Sequence, residues 1–293
     1  MAALVMPELK TVGGLVAWAR QSLAQAGIGN GAQEAMWLLE HAIGLRSHQL
    51  VSQTDRVVSP EAWAVVESLV ARRVAREPLQ YLLGTQEFCG LEFTVNPAVL
   101  IPRPETELLL RHAVASAQAV SDATIVDVGT GSGCVAITLA TSLKGRRIIA
   151  VDRSPEALAV AQRNARRHGV SDRIEWLEGD LLAPLSERMA ARSVYVIVSN
   201  PPYISEADWA GLEPEVRVFE PRMALIGGKQ GTEFHERLLR ESRAFLVPGG
   251  LLAMEIGAGQ AAAVRRLAEQ IGGYTALETI EDTAGIERVV MAR

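Results

Sequence analysis

Only two cysteines, Cys89 and Cys134, occur in 293 residues, and neither belongs to a CxxC pair or a Cys/His cluster. That scarcity excludes a disulfide framework, argues against a structural zinc site and fits a reducing, cytoplasmic setting. Also missing is any run of the roughly 18 to 20 uninterrupted apolar residues that a bilayer span needs, so a soluble, non-membrane protein is expected. The opening MAALVMPELK has no basic stretch ahead of a long apolar core, and no signal peptide is expected. Positive charge is scarce too. The 29 Lys and Arg stand against 34 Asp and Glu, a net −5, so no global field favours nucleic acid, although a local basic groove stays open. Compositional bias is absent: 48% hydrophobic and 22% charged residues, with 25 Gly and 13 Pro, exclude wholesale disorder. The length exceeds a typical domain of roughly 100 to 200 residues, which predicts one large domain or two unequal ones.

From Thr11 to about Glu77 the apolar residues recur at helical spacing, as in Leu15, Trp18 and Leu23, then Met36, Leu39 and Ile43, then Trp63, Val66 and Val70. Ser59-Pro60-Glu61 supplies a cap, a proline suited to the first turn and an acid at the positive end of the helix dipole, while Gly27 and Gly44 suit helix exits. A small helical domain follows. Met1 to Glu87 hold 7 basic and 8 acidic residues, so it offers no basic platform. Between Gln80 and Pro104 period two takes over, with Leu91-Glu92-Phe93-Thr94-Val95 bounded by Cys89-Gly90 and Asn96-Pro97. This predicts a β-hairpin linker. From Pro104 to about Ala119 helical spacing resumes. Beyond Ala123 strands and helices alternate, the signature of a parallel sheet flanked by helices. Strands are predicted over Thr124 to Val128, Ile148 to Val151, Ile174 to Leu177, Tyr195 to Val198, Leu251 to Ile256, Thr275 to Glu281 and Arg288 to Met291. The expected boundaries are 1–85 for the helical domain, 86–103 for the linker and 104–293 for an α/β domain.

Ile125 to Val128 runs into Gly129-Thr130-Gly131-Ser132-Gly133, and Cys134 restarts a helical pattern. Glycines let the backbone pass close beneath a ligand, and the next helix presents free N–H groups to it. A packing turn can be equally glycine-rich, so the loop alone does not decide. The dinucleotide fingerprint GxGxxG needs its third glycine at Cys134, one residue later than Gly133, which disfavours a dehydrogenase. Asp152 closes the second strand 23 residues past Gly129, the spacing at which a carboxylate accepts from a ribose diol. At the third strand's tip Asp180 can accept from the exocyclic amine of adenine, or serve equally as a solvated loop acid. The ordered series of glycine loop, Asp152 and Asp180 along consecutive strand tips suggests S-adenosyl-L-methionine.

The sharpest motif stands at the fourth strand's tip: Ser199-Asn200-Pro201-Pro202-Tyr203. Two prolines fix two φ angles and remove two N–H groups, leaving carbonyls free to accept. A planar NH2 group can then donate one hydrogen to the Asn200 side chain and the other to the Pro201 carbonyl, with the Tyr203 ring stacked over it. Asn200, Pro201 and Tyr203 are the candidate catalytic residues, and Asn200 to Tyr203, Pro202 included, the substrate-binding turn. No His or Lys stands beside Asn200 as a dedicated base. Phe219-Glu220-Pro221 is expected in a loop over the substrate, with Gly227-Gly228 as its hinge.

These residues carry a resemblance that spans nearly the whole chain. With NPPY go Glu77-Pro78-Leu79-Gln80-Tyr81-Leu82-Leu83-Gly84, Ile101-Pro102-Arg103-Pro104-Glu105-Thr106-Glu107, Phe219-Glu220-Pro221 and Ala284-Gly285-Ile286-Glu287-Arg288-Val289-Val290. The chain resembles the release factor glutamine methyltransferase family, of the PrmC or HemK type. NPPY is shared with methylases of adenine amines; the other segments are more restrictive. The resemblance implies a seven-stranded Rossmann-like S-adenosylmethionine-dependent methyltransferase domain, preceded by a helical substrate-recognition domain and a hairpin. It implies methylation of the glutamine side-chain nitrogen in the Gly-Gly-Gln loop of peptide chain release factors, the proteins of translation termination. By the same similarity Gly129, Thr130, Gly131, Ser132, Gly133, Asp152 and Asn200 contact the cofactor. Asp180 and Leu181 would join them, but Leu181 departs from the aromatic residue the family often has there. The competing readings are a ribosomal-protein glutamine methylase, an adenine-N6 methylase, which the charge disfavours, and a cofactor-binding interaction protein without turnover.

Overall fold

The computed structural model describes residues 10–293. Most of the amino-terminal stretch read for a signal peptide lies outside them. Two compact units emerge, one of Met1–Gly84 with Pro214–Phe219, the other of Thr85–Glu213 with Glu220–Arg293.

The first unit holds α1 (Val12–Gln25), α2 (Gly31–Ile43), α3 (Ser47–Ser52), α4 (Pro60–Val74) and α5 (Leu79–Leu83). Its caps are local. Thr11 and Ser59 side chains accept from Gly14 N and Ala62 N, each at 3.2 Å, and Gly44 closes α2 in the left-handed region that favours glycine. Leu15, Leu23, Leu38, Leu39, Trp63 and Val66 form its core. The extended reading from Gln80 is corrected here, because Leu79, Tyr81 and Leu82 turn helically to bury their side chains. The segment Pro214–Phe219 belongs to this unit despite its distance in sequence. Buried Arg73 accounts for that, pairing with Glu34 at 2.6 Å and Glu215 at 3.0 Å.

The second unit opens with an antiparallel hairpin, β1 (Thr85–Phe88) and β2 (Leu91–Thr94). Cys89 and Gly90 turn it with φ of 50° and 74°, the paired positive angles that match strand twist in a two-residue connection. Then follow α6 (Pro104–Gln118), β3 (Thr124–Val128), α7 (Cys134–Ser142), β4 (Arg147–Asp152), α8 (Pro155–Arg167), β5 (Ile174–Glu178) and β6 (Val194–Ser199). The remainder comprises β7 (Ile204–Ser205), α9 (Pro214–Phe219, in the first unit), β8 (Ile226–Gly228), α10 (Glu233–Ser242), β9 (Leu246–Glu255), α11 (Ala261–Ile271), β10 (Leu277–Glu281) and β11 (Glu287–Ala292).

Seven strands form one sheet in the order β10-β11-β9-β6-β3-β4-β5, parallel except for β11. The order reverses between β3 and β6, and at such a switch point the carboxyl ends of the strands leave a crevice for ligand. Two apolar layers cover the sheet, one with Leu109, Ile137 and the hairpin's Phe88 and Phe93, the other with Leu238, Leu252 and Val264. Among the described residues, no helix is long and apolar enough to cross a membrane.

Asn164 of α8, fully buried, ties the hairpin to the glycine loop. It accepts from Thr94 N at 2.8 Å and donates to Thr94 O at 3.0 Å and Ser132 O at 2.9 Å. Asn164→Ala would leave buried polar groups unpaired and should cost about 2 to 4 kcal/mol in urea unfolding. A loss below about 1 kcal/mol would show that the three bonds add little beyond what water supplies.

Candidate active site

At the tips of β3, β4, β5 and β6 lies a cavity of ≈ 320 Å³. Val128, Gly129, Gly131, Asp152, Asp180, Leu181, Asn200 and Pro202 line it. A smaller one of ≈ 40 Å³ adjoins it, lined by Thr106, Asp127, Thr130, Ser132 and Asn200 among others. Asn200, Gly129 and Gly131 border both.

The glycine loop carries three left-handed residues, at φ of 74°, 55° and 82° for Gly129, Gly131 and Gly133. Their surroundings divide them. A Cβ on Gly129 or Gly131 would meet nothing closer than 3.9 Å, so the space above them is open, whereas one on Gly133 would press on Ala161 and Ile137 at 3.0 Å. Gly133 lines neither cavity; it lets α7 pack on α8. Thr130 turns inward, its hydroxyl donating to Asp127 at 2.6 Å. Ser132 Oγ is buried, with no hydrogen-bond partner among the described residues.

Asp152 is held by the loop it faces, accepting from Gly131 N at 2.8 Å and Ser154 N at 2.9 Å. Burial pushes its carboxyl above the ordinary range against those two bonds. Beneath it, burial pushes Asp127 up to about 7, although Thr130 and Ala136 N favour its charged form. Acids buried at strand tips beside open space are where a ligand's donors find strong acceptors. Asp180 is half-buried and accepts from Arg237 at 2.8 and 3.3 Å. Leu181 sits at φ 50°, a strained angle for a branched side chain, and such outliers gather at ligand sites. Phe234 of α10 lines the same cavity.

The NPPY turn is pinned on every side. Asn200 Nδ2 donates to Thr106 Oγ1 at 3.0 Å, Tyr203 Oη donates to Glu255 Oε1 at 3.3 Å, and Gln260 donates to the Tyr203 carbonyl at 2.8 Å. Among the described residues, no protein donor is bonded to Asn200 Oδ1 or to the Pro201 carbonyl. Pro201 is buried, and neither it nor Tyr203 lines either cavity. Burial raises the Tyr203 hydroxyl's pKa, helped by Glu255. Thr106, Glu255 and Phe234 escaped the sequence reading. The nearest signal was IPRPETE itself, whose Thr106 is its buried polar residue. Glu220 of the Phe219-Glu220-Pro221 motif is buried, paired with Arg103 and accepting from Ile101 N at 3.1 Å, so it anchors the IPRP segment. Gly227 is no free hinge: β7 and β8 pair there, and a Cβ would stand 2.5 Å from the Pro202 carbonyl.

A sheet of this order with a cavity at its switch point is a ligand-binding α/β architecture, and the comparisons make it a methyltransferase. The family profile described as methyltransferase small domain matches residues 104–211, and that described as PrmC N-terminal domain matches residues 14–84. The release factor glutamine methyltransferase of Geobacter sulfurreducens is 44% identical over 287 residues, covering 98% of both chains. That of Nitratidesulfovibrio vulgaris is 41% identical over 284 residues, 97% of this chain and 95% of the relative. Among solved structures, the hMettl16 catalytic domain in complex with MAT2A 3'UTR hairpin 6 superposes with a TM-score of 0.55 at 17% identity. It covers 76% of this chain and 81% of that one, a likeness of fold. The chain belongs to the release factor glutamine methyltransferase family.

Gly227→Ala should displace Pro202 and with it Asn200, costing about 2 kcal/mol or more in thermal unfolding. An unchanged melting temperature would mean that the β7–β8 pairing is not what seats the turn.

Proposed function

We propose that this protein transfers a methyl group from S-adenosyl-L-methionine to the side-chain amide nitrogen, N5, of the glutamine in the Gly-Gly-Gln motif of peptide chain release factors, in the cytoplasm. The observation that carries this reading is the pair of acceptors, Asn200 Oδ1 and the Pro201 carbonyl, beside a cavity with an open glycine loop. Family membership directs the reading to release factors.

The residues present fit the cofactor. Open room above Gly129 and Gly131 admits a chain beneath which only backbone lies, and Ser132 Oγ is a buried hydroxyl without a partner among the described residues. Gly129, Thr130, Gly131, Ser132 and Gly133 would form the loop around its methionine end, Gly133 through its backbone turn. Asp152 would accept from the ribose, and Asp180 from the adenine amine between the apolar walls of Leu181 and Phe234. When bound, the cofactor supplies an electrophilic methyl on a sulfonium. Asn200 and Pro201 then do what the amide cannot do unaided. An amide lone pair is delocalised into its carbonyl; holding both amide hydrogens on fixed acceptors builds density on nitrogen and aims it along the line of displacement. Held so, the amide nitrogen would take the methyl while the sulfonium leaves as a neutral thioether, and would release one proton to water. Tyr203 supports the turn through its ring and its bond to Glu255. Residues 1–85 would recognise the protein substrate.

Three measurements test this. Mass spectrometry after incubation with a release factor, a ribosomal protein and an adenine oligonucleotide should find one added methyl, on the Gly-Gly-Gln glutamine alone; a methylated adenine would overturn the assignment. Gly131→Val should abolish cofactor binding in calorimetry with the fold intact, and unchanged affinity would reduce the loop to a packing turn. Asn200→Ala should lower kcat by roughly 10²-fold, as for loss of one preorganised contact in a transition state, with a smaller change in cofactor affinity.

A further inference from the structure

An asparagine amide offers an acceptor on one side and a donor on the other, and a half-turn exchanges them. The prolines fix the backbone of the NPPY turn but not that choice. Two buried groups behind the turn do. A carboxylate can only accept, so Thr106 Oγ1 donates to Glu255 Oε2 at 2.6 Å. The Thr106 oxygen, its proton committed, accepts from Asn200 Nδ2 at 3.0 Å, which leaves Asn200 Oδ1 for the ligand. Glu255 Oε1 meanwhile accepts from Tyr203 Oη at 3.3 Å, so one carboxylate holds both polar side chains of the motif. Thr106 and Glu255 are 3% and 1% exposed, and Glu255 lines neither cavity.

We infer that Thr106 and Glu255 are positioning residues that set the polarity of Asn200, so that the turn presents two acceptors rather than an acceptor and a donor to the incoming amide. This rests on the function proposed above. It also yields a pH dependence. Ionised Glu255 accepts from both hydroxyls. Once protonated it must donate one bond, so either Thr106 or Tyr203 turns round, and a reversed Thr106 reverses Asn200. Burial, with repulsion from Glu105, pushes Glu255 up to about 7, against the bonds from Thr106 and Tyr203 and the pull of Arg288. Those are the groups facing it: Glu105 and Thr106 from α6, Tyr203 from the turn and Arg288 from β11. His235 of α10 bonds its backbone carbonyl, at 2.8 Å, and burial lowers that imidazole's pKa.

The test compares wild type, Thr106→Val, Thr106→Ser and Glu255→Gln at saturating cofactor, with a release factor as substrate. Thr106→Val should lower kcat about 10-fold or more, with KM and calorimetric cofactor affinity within about twofold, and Thr106→Ser should restore most of it, as expected when only orientation is lost. Glu255→Gln has one donating atom and one accepting atom at every pH, like the protonated acid. It should turn over several-fold more slowly and lack the wild type's decline below about pH 7. A readout independent of turnover accompanies it. Because the folded-state pKa lies above its ordinary 4.5, the carboxyl's contribution to stability is present below that value and lost as pH rises through 7. The melting-temperature advantage of Glu255→Gln over wild type should therefore grow between those pH values and level off above them. Wild-type kcat in Thr106→Val, failure of Thr106→Ser to rescue it, or an undiminished acid decline in Glu255→Gln would each overturn the inference. A wild type inactive on release factors would instead overturn the proposed function.

Discussion

The hydrogen bond from Asn200 to Thr106 is the reference point of the cavity, because it joins the two parts of the chain that must agree for the turn to present acceptors. Asn200 follows the last residue of β6, in the central part of the sheet, where Ser199 Oγ donates to the Val128 carbonyl at 2.8 Å across the switch point. Thr106 sits in the first turn of α6, begun by Pro104, whose fixed φ suits that position. Strand and helix each end on local signals, and this bond ties the turn after one to the first turn of the other.

Around that point the protein accepts a electrostatic burden. Asp127, Asp152 and Glu255 stand at or near the tips of β3, β4 and β9, and burial raises all three above ordinary carboxylate values. Each is met by donors that favour its charged form: Thr130 and Ala136 N, Gly131 N and Ser154 N, Thr106 and Tyr203. A core built for stability alone would place apolar residues here. Acids kept in place at such a cost are characteristic of sites where ligand chemistry, rather than packing, sets the requirement.

The parts legible in the sequence are those encoded locally. Alternating strands and helices, the glycine loop, Asp152 at the end of β4 and NPPY at the end of β6 need only short-range patterns, and all of them surround the switch point in the structure. What escaped is long-range. Thr106 and Glu255 are 149 residues apart, and no local spacing could pair them. Gly227 read as a hinge because glycine permits motion; its actual constraint, the Pro202 carbonyl, arrives from a parallel pairing of β7 with β8. The stretch after Gln80 alternated like a strand, yet Leu79–Leu83 closes a helical turn because burial of Leu79 and Leu82 in the core of the helical unit overrides local alternation. The attachment of Pro214–Phe219 to the helical unit depends on Arg73, far away in sequence.

The proposed chemistry depends on the turn offering two acceptors to one amide. A crystal structure with S-adenosylhomocysteine and a Gly-Gly-Gln peptide tests it most directly. The expected result is a glutamine nitrogen donating to both Asn200 Oδ1 and the Pro201 carbonyl, with Asn200 Nδ2 still on Thr106. A glutamine whose carbonyl oxygen, rather than its nitrogen, faces Asn200 would contradict it.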